Sequence, residues 1–281
     1  KIFNDNNTHD AIIILGYLRS VKRFLFIKNI IKFHDSLFIM AEAEGGLIKE
    51  KKITCDSQQK SSQLINTNFD YIVIGSGPGG AIPASLLKEN GYNVLILDKG
   101  QDYSNEEMHS FSYKEMRKMY KHGGLSVSLG NQIINYVEGY CVGGGSEINS
   151  GLYHQTPKNI LHKWATEYSL MESDYPTLAK YYKDVEKKLC VNHYPKGKVP
   201  GASLKLAQGA KELGWQYDEI PRWFKYKQDG STDGEKMSMS KTYIKDFLSN
   251  EGLLLGGTSV DKLKKTASGW EVYIENNSQK H

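Results

Sequence analysis

Little in this chain suggests a stapled, metallated or membrane-spanning protein. Its 281 residues hold three cysteines, Cys55, Cys141 and Cys190, too few and too widely spaced for a disulfide framework or a zinc site, so no metal is expected. So few cysteines make a reducing, cytoplasmic compartment the default. Charge of one sign is lacking as well. The 36 Lys+Arg stand against 32 Asp+Glu, a net of +4, which gives no ground for a nucleic-acid partner. Long apolar runs are missing. Residues 11–40 carry 19 apolar side chains, but Arg19, Lys22, Arg23, Lys28 and Lys32 interrupt them. The uncharged run from Ala11 to Leu18 falls short of the roughly 20 residues that a membrane span needs. Its basic residues follow the run rather than precede it, unlike a secretory signal. Glycine, by contrast, is abundant at 27 residues without a G-X-Y period, which excludes a collagen-like chain and predicts glycine loops. A hydrophobic share of 39% supports a sizeable core and excludes a wholly disordered chain.

Residues 1–68 stand apart as an N-terminal extension, with ten basic and seven acidic residues. Two readings of 11–40 are open. One is a basic amphipathic helix on an anionic membrane surface, with Phe24, Phe26, Ile27, Ile30, Ile31 and Phe33 dipping in, hence a peripheral membrane contact. The other, which the lack of a clean polar face favours, is a helix docked on the main domain or extra sequence of little order. Residues 49–68 are polar and read as a linker. The chain opens on Lys1, with Met40 a candidate start, and stops six residues after the alternating stretch 270–275; a fragment of something longer is expected.

From Phe69 the character changes. Phe69 to Ile74 is an apolar, β-rich run, as in a strand buried on both faces. It leads into Gly75-Ser76-Gly77-Pro78-Gly79-Gly80. Residues 81–90 read as a helix with Gly91 as its stop, and Asn93 to Leu97 as a second buried strand that ends at Asp98. The pattern is G-x-G-x-x-G on a β-turn-α-β unit. Gly75 permits the tight turn, Gly77 lets a diphosphate approach the backbone, and Gly80 lets helix and strand pack closely. The helix start offers free N–H groups to that diphosphate. Asp98, 21 residues after Gly77, is placed to accept ribose hydroxyls and disfavours the 2′-phosphate of NADP, leaving NAD and FAD. Pro83 near the helix start predicts a local distortion.

A second cluster, Val142-Gly143-Gly144-Gly145-Ser146-Glu147-Ile148-Asn149, is another loop with exposed backbone. Its N–H groups, the Ser146 hydroxyl and the Asn149 amide suit a phosphate or the polar edge of a ring. Together these stretches resemble the glucose–methanol–choline (GMC) oxidoreductases, FAD enzymes acting on alcohols, over most of residues 69–275. Tyr71 to Gly100 is similar to the family's FAD-binding start, with Asp98 where Glu is usual. Gly144, Gly145, Ser146 and Asn149 match its second loop, with Asn149 implied near the reactive edge of the flavin. Trp164, Asp174, Tyr181, Tyr182 and Glu186 resemble the segment that follows. Met237 to Ile244 resembles the second family signature, and Val260 the residue whose backbone pairs with adenine.

The resemblance implies an α/β, Rossmann-like FAD-binding domain with a β-meander and part of a second, substrate-side region. Residues 69–152 would begin the FAD-binding domain, 153–235 would form the helical substrate-side segment, and 236–281 would return to the FAD-binding domain. Helices are predicted at 172–190 and 202–213. Strands are predicted at 253–255, 259–263 and 270–274, joined as a meander through a turn at 266–269. The implied substrate is an alcohol, with a hydrophobic one suggested by the form of the second loop, and the implied partner is the C-terminal half of the same fold. The family's proton-accepting His lies in that half, so the catalytic group is expected beyond His281. His154 and Cys141 lie by the second loop, but a surface His and a small buried Cys are the plainer readings. Two alternatives stand: a NAD-dependent dehydrogenase with the same βαβ start, and an inactive FAD-binding fragment.

Overall fold

The computed structural model describes residues 10–15, 39–44, 68–170 and 175–276. Along the chain the first strands are β1 (Asp10–Leu15), β2 (Ile39–Glu44) and β3 (Tyr71–Ile74). Helix α1 (Pro78–Glu89), β4 (Val94–Leu97), α2 (Tyr113–Met119), β5 (Ser126–Ser128), β6 (Ile134–Tyr136) and the single turn α3 (Gly145–Ile148) follow. Then come α4 (Lys158–Tyr168), α5 (Tyr175–Lys188), β7 (Val191–Asn192), α6 (Gly201–Glu212), β8 (Arg222–Tyr226) and β9 (Gly234–Lys236). The last elements are α7 (Tyr243–Ser249), β10 (Leu253–Leu255), β11 (Thr258–Thr266) and β12 (Gly269–Asn276). The chain divides into two compact units, one of residues 1–148 with 243–281 and the other of residues 149–242. The boundaries expected at 152 and 235 compare with breaks after residues 148 and 242, so residues 236–242 fall in the second unit.

The first unit is built on a five-stranded sheet in the order β10-β4-β3-β1-β2. β10, β4, β3 and β1 run parallel, and β2 is antiparallel at the edge. Alternation of side chains decides what each face holds. Tyr71, Val73, Val94 and Ile96 point to one face and pack with Ala84 of α1 and Phe247 of α7. Ile72, Leu95 and Leu97 point to the other and pack with Phe69 and Val272, with Val260, Leu263, Trp270 and Ile274 of the β11–β12 hairpin closing over them. Helices, sheet and hairpin thus form three layers, and β3 and β4 are apolar on both faces because both faces are covered.

Several local expectations differ from what forms. Ends of the 11–40 stretch assigned to a helix are strands, β1 and β2, with β1 parallel to β3. The β-branched run Ile12-Ile13-Ile14 favours extended backbone beside an open strand edge. Residues 16–38, which carry the phenylalanines of the membrane reading, and most of the 49–68 linker lie outside the described residues. β10 does not join a meander. It pairs in parallel with β4, because Leu254 faces the α1–α7 layer and Leu255 the hairpin layer. Of the three strands expected in the meander, β11 and β12 pair with each other, antiparallel and with a register shift between Val260 and Lys262.

In the second unit α5 and α6 fall close to the predicted spans, and β7-β8-β9 make a small antiparallel sheet. Among the described residues of this unit, Leu161, Leu189, Trp223 and Met239 are the buried apolar side chains. Among the described residues no helix is long and apolar enough to cross a membrane, and no three metal-ligating side chains converge.

Candidate functional site

The site grows from the end of β3. Gly75 takes φ +92°, a left-handed turn that residues with a Cβ seldom adopt, and its N–H reaches Leu97 O at the end of β4, 2.7 Å away. α1 starts at once. A Cβ on Gly80 would overlap the Gly75 carbonyl oxygen and lie 3.0 Å from Val73 Cγ1, so only glycine lets the helix close on the strand. Gly77 is the N-cap, with φ −62° and ψ 178° and no side-chain cap, followed by Pro78 at the first helical position. Gly79, one residue further, sits where a helix has no partner for its N–H. A Cβ built on Gly77 meets no protein atom within 4 Å. Glycine is therefore not required there by the protein's own packing, and the space above it is open. Pro83 lies inside α1, which runs on unbroken to Glu89.

The second glycine loop lies against the first. A Cβ on Gly144, at φ +58°, would stand 3.1 Å from Gly77 Cα, while one on Gly145 meets nothing within 4 Å. The backbones of the two loops thus touch at Gly77 and Gly144, and the Cβ directions of Gly77 and Gly145 are each clear of protein atoms. Gly139 and Gly100, to which the sequence reading gave no role, make this approach possible. A Cβ at 139 would overlap Gly144, and one at 100 would overlap Cys141. Cys141 is buried at 2% exposure, its Sγ 3.8 Å from Gly144 O, which suits a packing residue.

Asp98 ends β4 and stands at a junction. Its backbone N–H donates to Leu255 O and its carbonyl accepts from Thr258 N–H. Its carboxylate is already engaged. Oδ2 accepts from the Ser76 N–H at 2.7 Å and from the Ser76 hydroxyl, and Oδ1 accepts from the Gly100 N–H at 2.7 Å. A carboxylate offers about four acceptor positions, so one on Oδ1 is left for a ribose hydroxyl. Burial pushes the Asp98 pKa up, and the bonds from Ser76 and Gly100 work against that rise. Ser76 is fully buried, and its Oγ also accepts the Gly143 N–H at 2.9 Å. The sequence reading passed over Ser76; the one hint was a small polar residue between two glycines at a strand end.

The other singled-out residues are placed as follows. Ser146 is buried at 1% exposure, and its hydroxyl donates to Gly143 O at 2.7 Å, so its proton serves the loop itself. Asn149 opens the second unit, exposed, with Oδ1 accepting the Gly151 N–H at 3.1 Å. Val260 lies on β11 with its side chain in the hairpin layer, just before the bulge. His154 is exposed in the second unit. There, Glu186 Oε1 accepts from the Tyr153 hydroxyl at 2.9 Å and from Gln155 Nε2 at 2.6 Å. Burial, then the Glu186 carboxylate, push the Tyr153 pKa well up.

The first unit suits a dinucleotide. An uncapped helix start, two glycine loops in contact and open space over Gly77 and Gly145 can take a diphosphate, and the remaining Oδ1 position of Asp98 can take a ribose hydroxyl. Comparison with known proteins agrees. The family description "GMC oxidoreductase" matches residues 116–281, and "NAD(P)-binding Rossmann-like domain" matches residues 73–138. An uncharacterized GMC-type oxidoreductase of Sinorhizobium fredii, y4nJ, is 29% identical over 201 residues, covering 69% of this chain and 40% of its own. The long-chain-alcohol oxidase FAO4A of Arabidopsis thaliana is 27% identical over 240 residues, covering 80% of this chain and 33% of its own. An FAD-dependent oxidoreductase from Chaetomium thermophilum has a similar fold, with TM-score 0.59 at 18% identity over 75% of this chain and 42% of its own. The chain thus spans between 33% and 40% of the length of these two curated relatives.

Proposed function

The chain belongs to the GMC oxidoreductase family, and from that premise we propose that its first unit holds FAD as part of an enzyme oxidising the CH–OH group of an alcohol. The observation that carries this reading is the contact between the two glycine loops, Gly144 against Gly77. Gly77, Gly79 and Gly145 would present backbone N–H groups to the diphosphate, and the α1 dipole would favour its charge. Asp98 would take one ribose hydroxyl. Val260 would meet the adenine through its backbone beside the bulge, since its side chain belongs to the core. FAD, when bound, supplies the two-electron acceptor for the carbinol hydrogen. The hydroxyl proton needs a positioned base, and none of the residues that assemble the loops is a histidine, so we place that base outside them. An apolar alcohol is the favoured substrate class, supported by the similarity to long-chain-alcohol oxidases.

A NAD-dependent dehydrogenase is the second reading, favoured by the Rossmann-like match over residues 73–138. It leaves the second glycine loop without a task. Titration of the purified chain with FAD and with NAD separates the two. Quenching of flavin fluorescence by the chain, without displacement by NAD, is expected. Tighter binding of NAD, or no retention of FAD, would overturn the assignment. Addition of a long-chain alcohol to the loaded chain is expected to leave the flavin oxidised, and bleaching would show that the base is already present.

A further inference from the structure

We propose that Ser76 is a positioning residue, a latch that holds the two glycine loops together and sets how much of Asp98 is left for a ligand. The inference deepens the FAD reading and rests on it for its ligand part. Three segments far apart in sequence meet at this one hydroxyl. It donates its proton to Asp98 Oδ2 and accepts the Gly143 N–H at 2.9 Å. A hydroxyl has one proton to give and two lone pairs, so this side chain can serve both neighbours at once, which Ala, Gly or Val at this position could not. Ser76 is at 0% exposure, so bulk solvent does not reach either bond, and a buried polar group left without its partner is costly.

The geometry explains two features. The first is the place of the second loop. Its Gly143 N–H is held one residue before Gly144 touches Gly77, so the latch lies beside the contact that forms the cradle. The second is the orientation of Asp98. The Ser76 N–H and hydroxyl both draw Oδ2 inward, while Gly100 takes one position on Oδ1. An aspartate tied this way has a single acceptor position to turn outward. With Ser76 removed, Oδ2 regains a lone pair, the carboxylate is freed to rotate, and the Gly143 N–H loses its partner.

The test uses the purified 281-residue chain with Ser76→Ala and Ser76→Cys, each alone and combined with Asp98→Asn. The cysteine variant keeps the volume if the alanine variant does not fold. In urea unfolding of the ligand-free chain, the two changes are expected not to add, with a coupling of about tenfold in the folding equilibrium, or ~1.4 kcal/mol. Additive effects would overturn the latch. Amide hydrogen exchange gives a reading that general destabilisation would not produce. Gly143 is expected to be strongly protected in the unaltered chain and to exchange at least tenfold faster in the Ser76 variants, while Val73 in β3 is unchanged. An unprotected Gly143 in the unaltered chain would refute the latch without any variant. The FAD dissociation constant is expected to rise at least tenfold in either Ser76 variant. If the unaltered chain binds no FAD, the cofactor reading fails and the unfolding and exchange results still judge the latch. If the unaltered chain and both Ser76 variants bind FAD equally, with Gly143 still protected, the latch fails and the cofactor reading stands.

Discussion

Replacing Gly77 by alanine separates what the protein needs from what a ligand needs. In the chain alone the new methyl group meets no protein atom within 4 Å. The backbone at φ −62° and ψ 178° is in a region that alanine enters freely. Alanine is a poorer N-cap than glycine by a cost on the order of 1 kcal/mol. It also removes freedom from the unfolded chain, which offsets about 0.4–1 kcal/mol. The two nearly cancel, so urea unfolding followed by circular dichroism is expected to move by less than ~1 kcal/mol. FAD binding should behave otherwise. A methyl group placed in the open space at Gly77 would displace a phosphate oxygen from its N–H donors, and at least tenfold weaker binding, ~1.4 kcal/mol, is expected in a fluorescence titration. Gly80→Ala is the matching control. Its methyl would overlap the Gly75 carbonyl oxygen, α1 must move off the sheet, and a loss of about 1–3 kcal/mol of stability is expected from overpacking alone. If Gly77→Ala bound FAD within twofold of the unaltered chain, the space above Gly77 would not be where the diphosphate lies. The reading of the first loop would then fail.

Two further predictions concern other parts of the chain. Phe247 of α7 is at 0% exposure between α1 and the sheet; Phe247→Ala is expected to cost about 3–5 kcal/mol in urea unfolding, and a loss under ~1 kcal/mol would contradict the layered core. Tyr153 holds its proton more tightly in the fold than in the unfolded chain, because of burial and then Glu186. Its contribution to stability is therefore complete below the ordinary tyrosine value of about 10 and is lost as pH rises through the higher folded value. The alkaline absorbance titration of the unaltered chain minus that of Tyr153→Phe should show one tyrosine ionising well above the ordinary range, and a difference curve centred near the ordinary value of about 10 would refute the assignment.

Local order in the chain was legible from residue patterns alone. The apolar runs before Gly75 and before Asp98, the glycine spacing between them and the stop at Gly91 dictate β3, α1 and β4, because each rests on neighbours a few residues apart. The turn at 266–269 and the alternation after it likewise dictate the β11–β12 hairpin, where the Thr266 hydroxyl donates to Gly269 O. Other features were decided only by folding. β10 reads as one more strand of a meander, yet it enters the parallel sheet, because an open strand edge on β4 and two apolar layers receive Leu254 and Leu255. Asp98 reads as a free acid for a ribose, yet three of its acceptor positions are filled from Ser76 and Gly100. Ser76 meets Asp98 across 22 residues and Gly143 across 67. Contacts at such separations leave no period or spacing in a single sequence, since they arise from where the sheet and its layers carry each loop. The sequence determined that there would be two turns without side chains; only the tertiary structure decided that they touch, and that a buried hydroxyl joins them.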